Sequence, residues 1–141
     1  MKANELTIGD WVRSPKNADG DFYAGQVCEI KQGGEHYYCY IPGPDGNDSI
    51  RCDNLSPVPL TGEILEKNGF EQYGISRVMY IGKDLVIEIF LYTQPLIKIG
   101  LRCDGMLHVG FKWIVNWMPI SYVHELQHLL RLCGIDNEIV I

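Results

Sequence analysis

The chain has 141 residues, with 12 Lys plus Arg against 18 Asp plus Glu and a formal charge of −6. Hydrophobic residues make up 46%, enough apolar surface to offset chain entropy, which excludes an intrinsically disordered protein. Acidic residues outnumber basic ones 9 to 5 in residues 1–60 and 9 to 7 in residues 61–141, so neither part offers the clustered cations that a phosphate backbone attracts, and nucleic-acid binding is disfavoured.

Residues 1–60 read as short strands separated by turn chemistry. Asp10 to Arg13 is a first strand behind Gly9, and Pro15 to Gly20 a polar loop. Phe22 to Lys31 is a longer strand closed by Gln32-Gly33-Gly34, and His36 to Ile41 a third, rich in tyrosine. Pro42 to Asn47 is expected to be a loop, because its two prolines and two glycines oppose both helix and sheet. Ser49 to Cys52 makes a fourth strand and Leu55 to Val58 a possible fifth. Five short strands behind a Gly-Asp-x-Val opening suggest a small SH3-like or Tudor-like barrel over residues 1–60, with an open twisted sheet as the alternative.

Pro57-Val58-Pro59-Leu60 is a linker, since a residue before proline is held extended. Thr61 then caps a short helix over about Gly62 to Asn68, which Asn68-Gly69 stops. Period-two patterning returns with strands Ile75–Ile81 and Leu85–Tyr92 around the turn Gly82-Lys83-Asp84. Leu96 to Cys103 alternates, Asp104-Gly105 is a hairpin signal, and Met106 to Ile114 alternates again. One wet face and one packed face mean an antiparallel meander that something must cover. The expected cover is a terminal helix, Ser121 to Cys133, capped by Ser121, ended by Gly134 and carrying Tyr122, Val123, Leu126, Leu129, Leu130 and Cys133 on one stripe. Glu138 to Ile141 suits a final strand. The expected fold is therefore α+β and mostly antiparallel: an SH3-like barrel, 1–60, and a short helix, meander and covering helix, 61–141.

No membrane span is expected: the most apolar stretch, Leu85 to Tyr92, contains Glu88 and is far shorter than the ~20 residues required. The N-terminus has no apolar run behind Lys2, so no signal peptide is read. Cys28, Cys39, Cys52, Cys103 and Cys133 are odd in number and widely spaced, which suits reduced thiols in a cytoplasm. Of Cys28, His36, Cys39 and Cys52, only His36-x-x-Cys39 has a ligand-like spacing, and no cofactor is expected from them.

His124-Glu125-Leu126-Gln127-His128 spells HExxH. Histidines four apart on a helix can hold one zinc while the glutamate activates a bound water, the arrangement of zincin metallopeptidases. The extended form of that pattern needs glycine and histidine where this chain has Arg131 and Gly134, and only 13 residues follow His128. At ~100° per residue, His124 and His128 project away from the apolar stripe, beside Gln127 and Arg131. The expectation is a solvent-facing polar stripe that happens to spell the motif, with a zinc-dependent hydrolase as the alternative.

The tyrosine-rich strand offers a second candidate. If Tyr37, Cys39 and Ile41 point inward, His36, Tyr38 and Tyr40 point out. With Trp11, Phe22 and Tyr23 they suit an aromatic groove for proline-rich or cationic peptide segments, or else cross-strand pairs that stabilise the sheet. Trp11, Tyr23, Tyr38 and Tyr40 are the candidate binding residues. Trp113 and Trp117, flanking Asn116, suit the seal between sheet and terminal helix, and Glu88 suits pairing with Lys98 or Arg102.

Three stretches, Lys2 to Val12, Pro57 to Phe70 and Tyr122 to Leu129, together resemble a family of small uncharacterised proteins encoded in phages, prophages and mobile elements of gut anaerobes. The resemblance spans nearly the whole chain, least in the meander. It implies a cytoplasmic accessory role in a phage or mobile-element life cycle and brings no catalytic or binding residue. At the terminal helix the family reads closer to Tyr-Val-His-Gln-Leu-Gln-Asn, and this chain departs at Glu125 and His128, the two positions that complete HExxH. The functional expectation is a non-enzymatic module that binds a protein or peptide.

Overall fold

A computed structural model describes residues 1–16, 20–43, 46–103, 110–135 and 138–141. It is α+β and mostly antiparallel, and it divides into two compact units. The first joins residues 1–59 with 122–137, and the second comprises 60–121 and 138–141. The break after residue 59 lies one residue from the expected boundary, but the terminal helix groups with the first unit instead of the meander.

In the first unit, β1 (Trp11–Arg13) lies between β2 (Ala24–Gln26) and β6 (Ser56–Pro57) in one antiparallel sheet. A second sheet has the order β3 (Glu29–Gly33), β4 (His36–Gly43), β5 (Gly46–Arg51). The long strand expected from Phe22 is thus broken at Val27-Cys28, where Cys28 N donates to Tyr40 O at 2.9 Å. No closed barrel is present among the described residues; the strands form two three-stranded sheets around one core. That core is Leu6, Val12, Val27, Cys39, Ile41, Cys52 and Leu55, all buried. A full burial of this kind contributes about 1.5–3 kcal/mol for each aliphatic side chain.

The loop expected over Pro42–Asn47 is the clearest correction to the strand assignments. Pro42 opposes Asn47 and Gly43 opposes Gly46, so both strands run into that segment. A proline is tolerated because the pairing of β3 with β4 starts at Tyr40, leaving no partner that needs an N–H at position 42. Gly46, at φ +131°, supplies the backbone that the turn requires. Residues 44 and 45 lie outside the described set. A 3₁₀ turn, Cys52–Asn54, then leads into β6.

In the second unit, α1 (Gly62–Lys67) starts where Thr61 Oγ1 accepts from Ile64 N. Five strands follow in the order β11-β10-β9-β8-β7: β7 (Glu71–Tyr73), β8 (Ser76–Ile81), β9 (Leu85–Phe90), β10 (Leu96–Cys103) and β11 (Gly110–Pro119). Met79 opposes Ile87, Ile87 opposes Ile99 and Ile89 opposes Ile97, which makes one apolar face. The four isoleucines of that face have no exposed surface, and Leu65 of α1 and Ile139 are equally buried in this unit. The hairpin expected at Asp104-Gly105 lies outside the described residues, as do residues 106–109 of the following strand. Glu138–Ile141 is no strand; Val140 N donates to Asn68 Oδ1 at 2.8 Å and Asn68 Nδ2 donates back to Val140 O at 2.6 Å.

The pairing of β10 with β11 is irregular. Ile97 opposes Met118 and Ile99 opposes Val115, so Asn116 and Trp117 together face Lys98. Trp117 takes up the bulge at φ +57°, a left-handed backbone that costs a bulky residue about 1–2 kcal/mol.

Candidate functional site

The helix α2 (Val123–Leu132) carries the HExxH residues, and it begins two positions later than expected. Tyr122 is the N-cap, not Ser121, and its N–H donates to Glu125 Oε2 at 3.1 Å. The motif's glutamate therefore closes the first turn of its own helix, an N-terminal role that suits a carboxylate.

Only part of the polar stripe faces water: His124 and Gln127 are buried, at 8% and 4% exposure, His128 is half-buried and Arg131 exposed. The segment Thr7 to Trp11 lies along Gln127, His128 and Arg131. Gln127 clamps the backbone of that segment: its Nε2 donates to Gly9 O at 2.9 Å and its Oε1 accepts from Trp11 N at 3.1 Å. Gly9 adopts φ +90°, a left-handed backbone that favours glycine. Asp10, with no exposed surface, is the hub. Its carboxylate accepts from Thr7 N (2.8 Å), Thr7 Oγ1 (2.9 Å) and Arg131 Nη1 (3.0 Å), and lies 2.8 Å from His128 Nε2. Arg131 Nη1 also donates to Thr7 Oγ1 at 2.7 Å. A buried carboxylate is tolerable only with partners of this number and charge.

His124 is less well served. Its Nδ1 is buried without a hydrogen-bond partner among the described residues, and its ring stacks on Tyr122 at 5.9 Å. Burial, partly opposed by Glu125 and Asp10, holds its pKa below the usual histidine value.

Open depressions flank α2 within the first unit. One, about 440 Å³, is lined by Met1, Glu5, Pro57, Tyr122, His124, Glu125 and His128. Among the described residues no group of three or more His, Cys, Asp or Glu side chains is placed to hold a metal ion. The donor set also fits zinc poorly, because the Nε2 of His128 is taken by Asp10 and Thr7 and Glu125 is bound to the helix N-terminus. Another depression, about 530 Å³, is lined by Thr7, Ile8, His128, Arg131 and Leu132. Ile8 is 65% exposed there and Leu132 84%.

The tyrosine candidates fall on different faces. Cys39 and Ile41 are buried, so Tyr38 and Tyr40 point to the outer face of the β3–β4–β5 sheet. Lys31 Nζ lies 5.1 Å from the Tyr40 ring centre, and the Tyr38 ring lies against Gly33. Tyr23 instead donates from its hydroxyl to Asp48, which sits opposite Ile41, and burial together with that carboxylate pushes its pKa up to about 12. Trp11 is half-buried, with its backbone held by Gln127. Tyr37, expected inside, is 47% exposed. Cys39 and Cys52 lie together in the core, where burial and the neighbouring thiol push the Cys39 pKa up to about 12, while Cys28 and His36 are exposed.

In the second unit Glu88 stands opposite Lys98 in register, but its Oε1 accepts from Ser76 Oγ at 3.0 Å. The Lys98 ammonium lies among Phe90, Trp113 and Trp117. Trp117 is no buried seal, being 46% exposed.

Sequence reasoning missed Asp10, Thr7 and Gln127. The signal was present: His124, Gln127, His128 and Arg131 recur at i, i+3, i+4 and i+7, a stripe as regular as the leucines beside it. No helix is long and apolar enough to cross a membrane among the described residues. No family model, no curated protein and no solved structure matches the chain.

Proposed function

We propose that the protein is a non-enzymatic protein- or peptide-binding module, acting in the cytoplasm as an accessory factor of a phage or mobile element. One observation carries the binding role: Ile8 and Leu132, at 65% and 84% exposure, flank the open 530 Å³ groove on the first unit. Large aliphatic side chains left in water beside a concave surface mark a contact site. The order β2-β1-β6 and β3-β4-β5, with a 3₁₀ turn before the last strand, supports an SH3-like reading of this unit. The accessory role rests on the resemblance of three sequence stretches.

The test is affinity capture from the native host, comparing the wild type with an Ile8→Ser/Leu132→Ser variant and a Tyr38→Ala/Tyr40→Ala variant of verified fold. The groove predicts a partner that the first variant loses and the second keeps. A partner lost only by the second moves the contact to the tyrosine face, and no specific partner in any arm defeats the reading.

One observation favours the competing zinc-dependent hydrolase, with His124 and His128 as ligands and Glu125 as base: all three residues line the 440 Å³ depression. It requires His128 to leave Asp10 and Glu125 to release Tyr122 N. Untagged protein, chelated and then reloaded with zinc, distinguishes the two: one retained zinc per chain overturns the binding module, and none removes the hydrolase.

A further inference from the structure

We infer that Phe90, Trp113 and Trp117 form a cage for alkylammonium cations, held closed in the isolated chain by the ammonium of Lys98. The Nζ of Lys98 lies 3.8 Å from the Trp117 ring centre, 4.7 Å from that of Trp113 and 5.8 Å from that of Phe90. Each distance is within the range at which a cation is drawn to the negative face of an aromatic ring. Three rings converging on one charge make a receptor, whatever cation fills it.

The local chain is built to present these rings. Gly100, which stands opposite Trp113, has no side chain to obstruct the ring, and the bulge that places two residues opposite Lys98 lets Trp117 lean over it. Trp117 adopts its left-handed backbone at this point, and strain of that kind gathers at ligand-holding positions. Burial does not account for the strain, because Trp117 is 46% exposed. Phe90 braces Trp117 at 5.0 Å between ring centres, and Tyr92, 52% exposed, stacks on Phe90 at 6.1 Å. The site is therefore open to solvent on one side. Glu88 opposes Lys98 across the strands and is hydrogen-bonded to Ser76, so a carboxylate belongs to the same sheet face.

The chemistry of the occupant follows. A primary ammonium gives up strong hydration to sit among rings, whereas a trimethylammonium group is weakly hydrated and presents methyl groups to the π faces. An exogenous trimethylammonium has to displace a tethered competitor, whose effective concentration is in the millimolar range. Removing the Lys98 ammonium frees cation–π contacts that together are worth on the order of a factor of ten in affinity, so binding should tighten by about tenfold.

The full chain is titrated with choline while tryptophan fluorescence is followed, in the wild type and in Lys98→Ala. 3,3-Dimethylbutan-1-ol, the uncharged shape analogue, is titrated in parallel. The cage predicts saturable quenching by choline and none by the alcohol, about tenfold tighter in Lys98→Ala, and lost when Trp117→Leu is added. A trimethyl-lysine peptide in the same assay separates the sources: tighter binding than choline assigns a modified protein side chain, equal or weaker binding a free ligand. Should Lys98→Ala not fold, Lys98→Met carries the test. No saturable change in the folded lysine variant, or an equal response to the neutral alcohol, overturns the inference.

Discussion

Asp10 ties the N-terminal segment to α2 in the first unit. It is without exposed surface and gathers Thr7, His128 and Arg131. Asp10→Ala strips those groups of their acceptor and should cost about 1–3 kcal/mol, since Arg131 is left in contact with solvent, read as a lower midpoint in urea denaturation at pH 7. Gln127 repeats the logic with neutral groups, tying Gly9 O and Trp11 N to α2. His124 gives the opposite kind of signal. Its pKa is lowered by burial, so the folded state favours the neutral ring. The unfolded chain takes up the proton first, near 6.5, and stability must fall as pH drops through that value toward the lower one of the folded ring, then flatten. The slope is at most about 1.4 kcal/mol per pH unit. Urea midpoints at pH 8, 7, 6 and 5 for the wild type and His124→Phe check this, because the phenylalanine keeps the stack on Tyr122 without a titrating group. Parallel pH profiles for the two proteins would refute it.

At the scale of elements, legibility followed the burial pattern. The strand Leu96–Cys103, with Ile97 and Ile99 buried and Lys98 between them not, announces itself by alternation, whereas Leu85–Phe90 is an apolar run broken only by Glu88. The strand ends at Pro42 and Gly43 give no such sign, because what admits a proline there is where β3 stops, a tertiary fact. The bulge at Asn116-Trp117 has no glycine to mark it, so the sequence holds no sign of it. The burial of His124 and Gln127 on α2 is illegible for a related reason: polar residues on a helix are read as wet unless a covering partner is known, and the partner of Gln127, Gly9 to Trp11, lies more than a hundred residues away. The close approach of β2 to β4 is equally tertiary, and it is testable at Gly25. A Cβ built there lies 2.9 Å from the backbone oxygen of Pro42. Backbone cannot step aside as a flexible side chain would, so Gly25→Ala should destabilise by about 1–3 kcal/mol. Gly34→Ala, with nothing within 4 Å of its Cβ but φ +63°, is the comparison in which only backbone strain acts.

On the scale of the whole molecule, the first unit is discontinuous, with residues 60–121 inserted between its last strand and its helix. The insertion leaves and returns at neighbouring points: Pro59 bridges to Tyr122, and Val123 N donates to Val58 O at 2.9 Å. The hydrogen bonds of Gln127, His128 and Arg131 to Thr7, Gly9, Asp10 and Trp11 all belong to this one unit, so residues 1–59 alone leave Asp10 without Arg131 and His128. A chain of residues 1–59 should therefore remain largely unfolded. Joining residue 59 to residue 122 through two glycines, with the chain continued to residue 137, should restore cooperative unfolding, since the bridged ends need little loop-closure entropy. Circular dichroism and urea titration of the two chains check this. If residues 1–59 fold cooperatively with the stability of the bridged chain, the helix is an appendage to the unit and its polar stripe has no part in holding the fold.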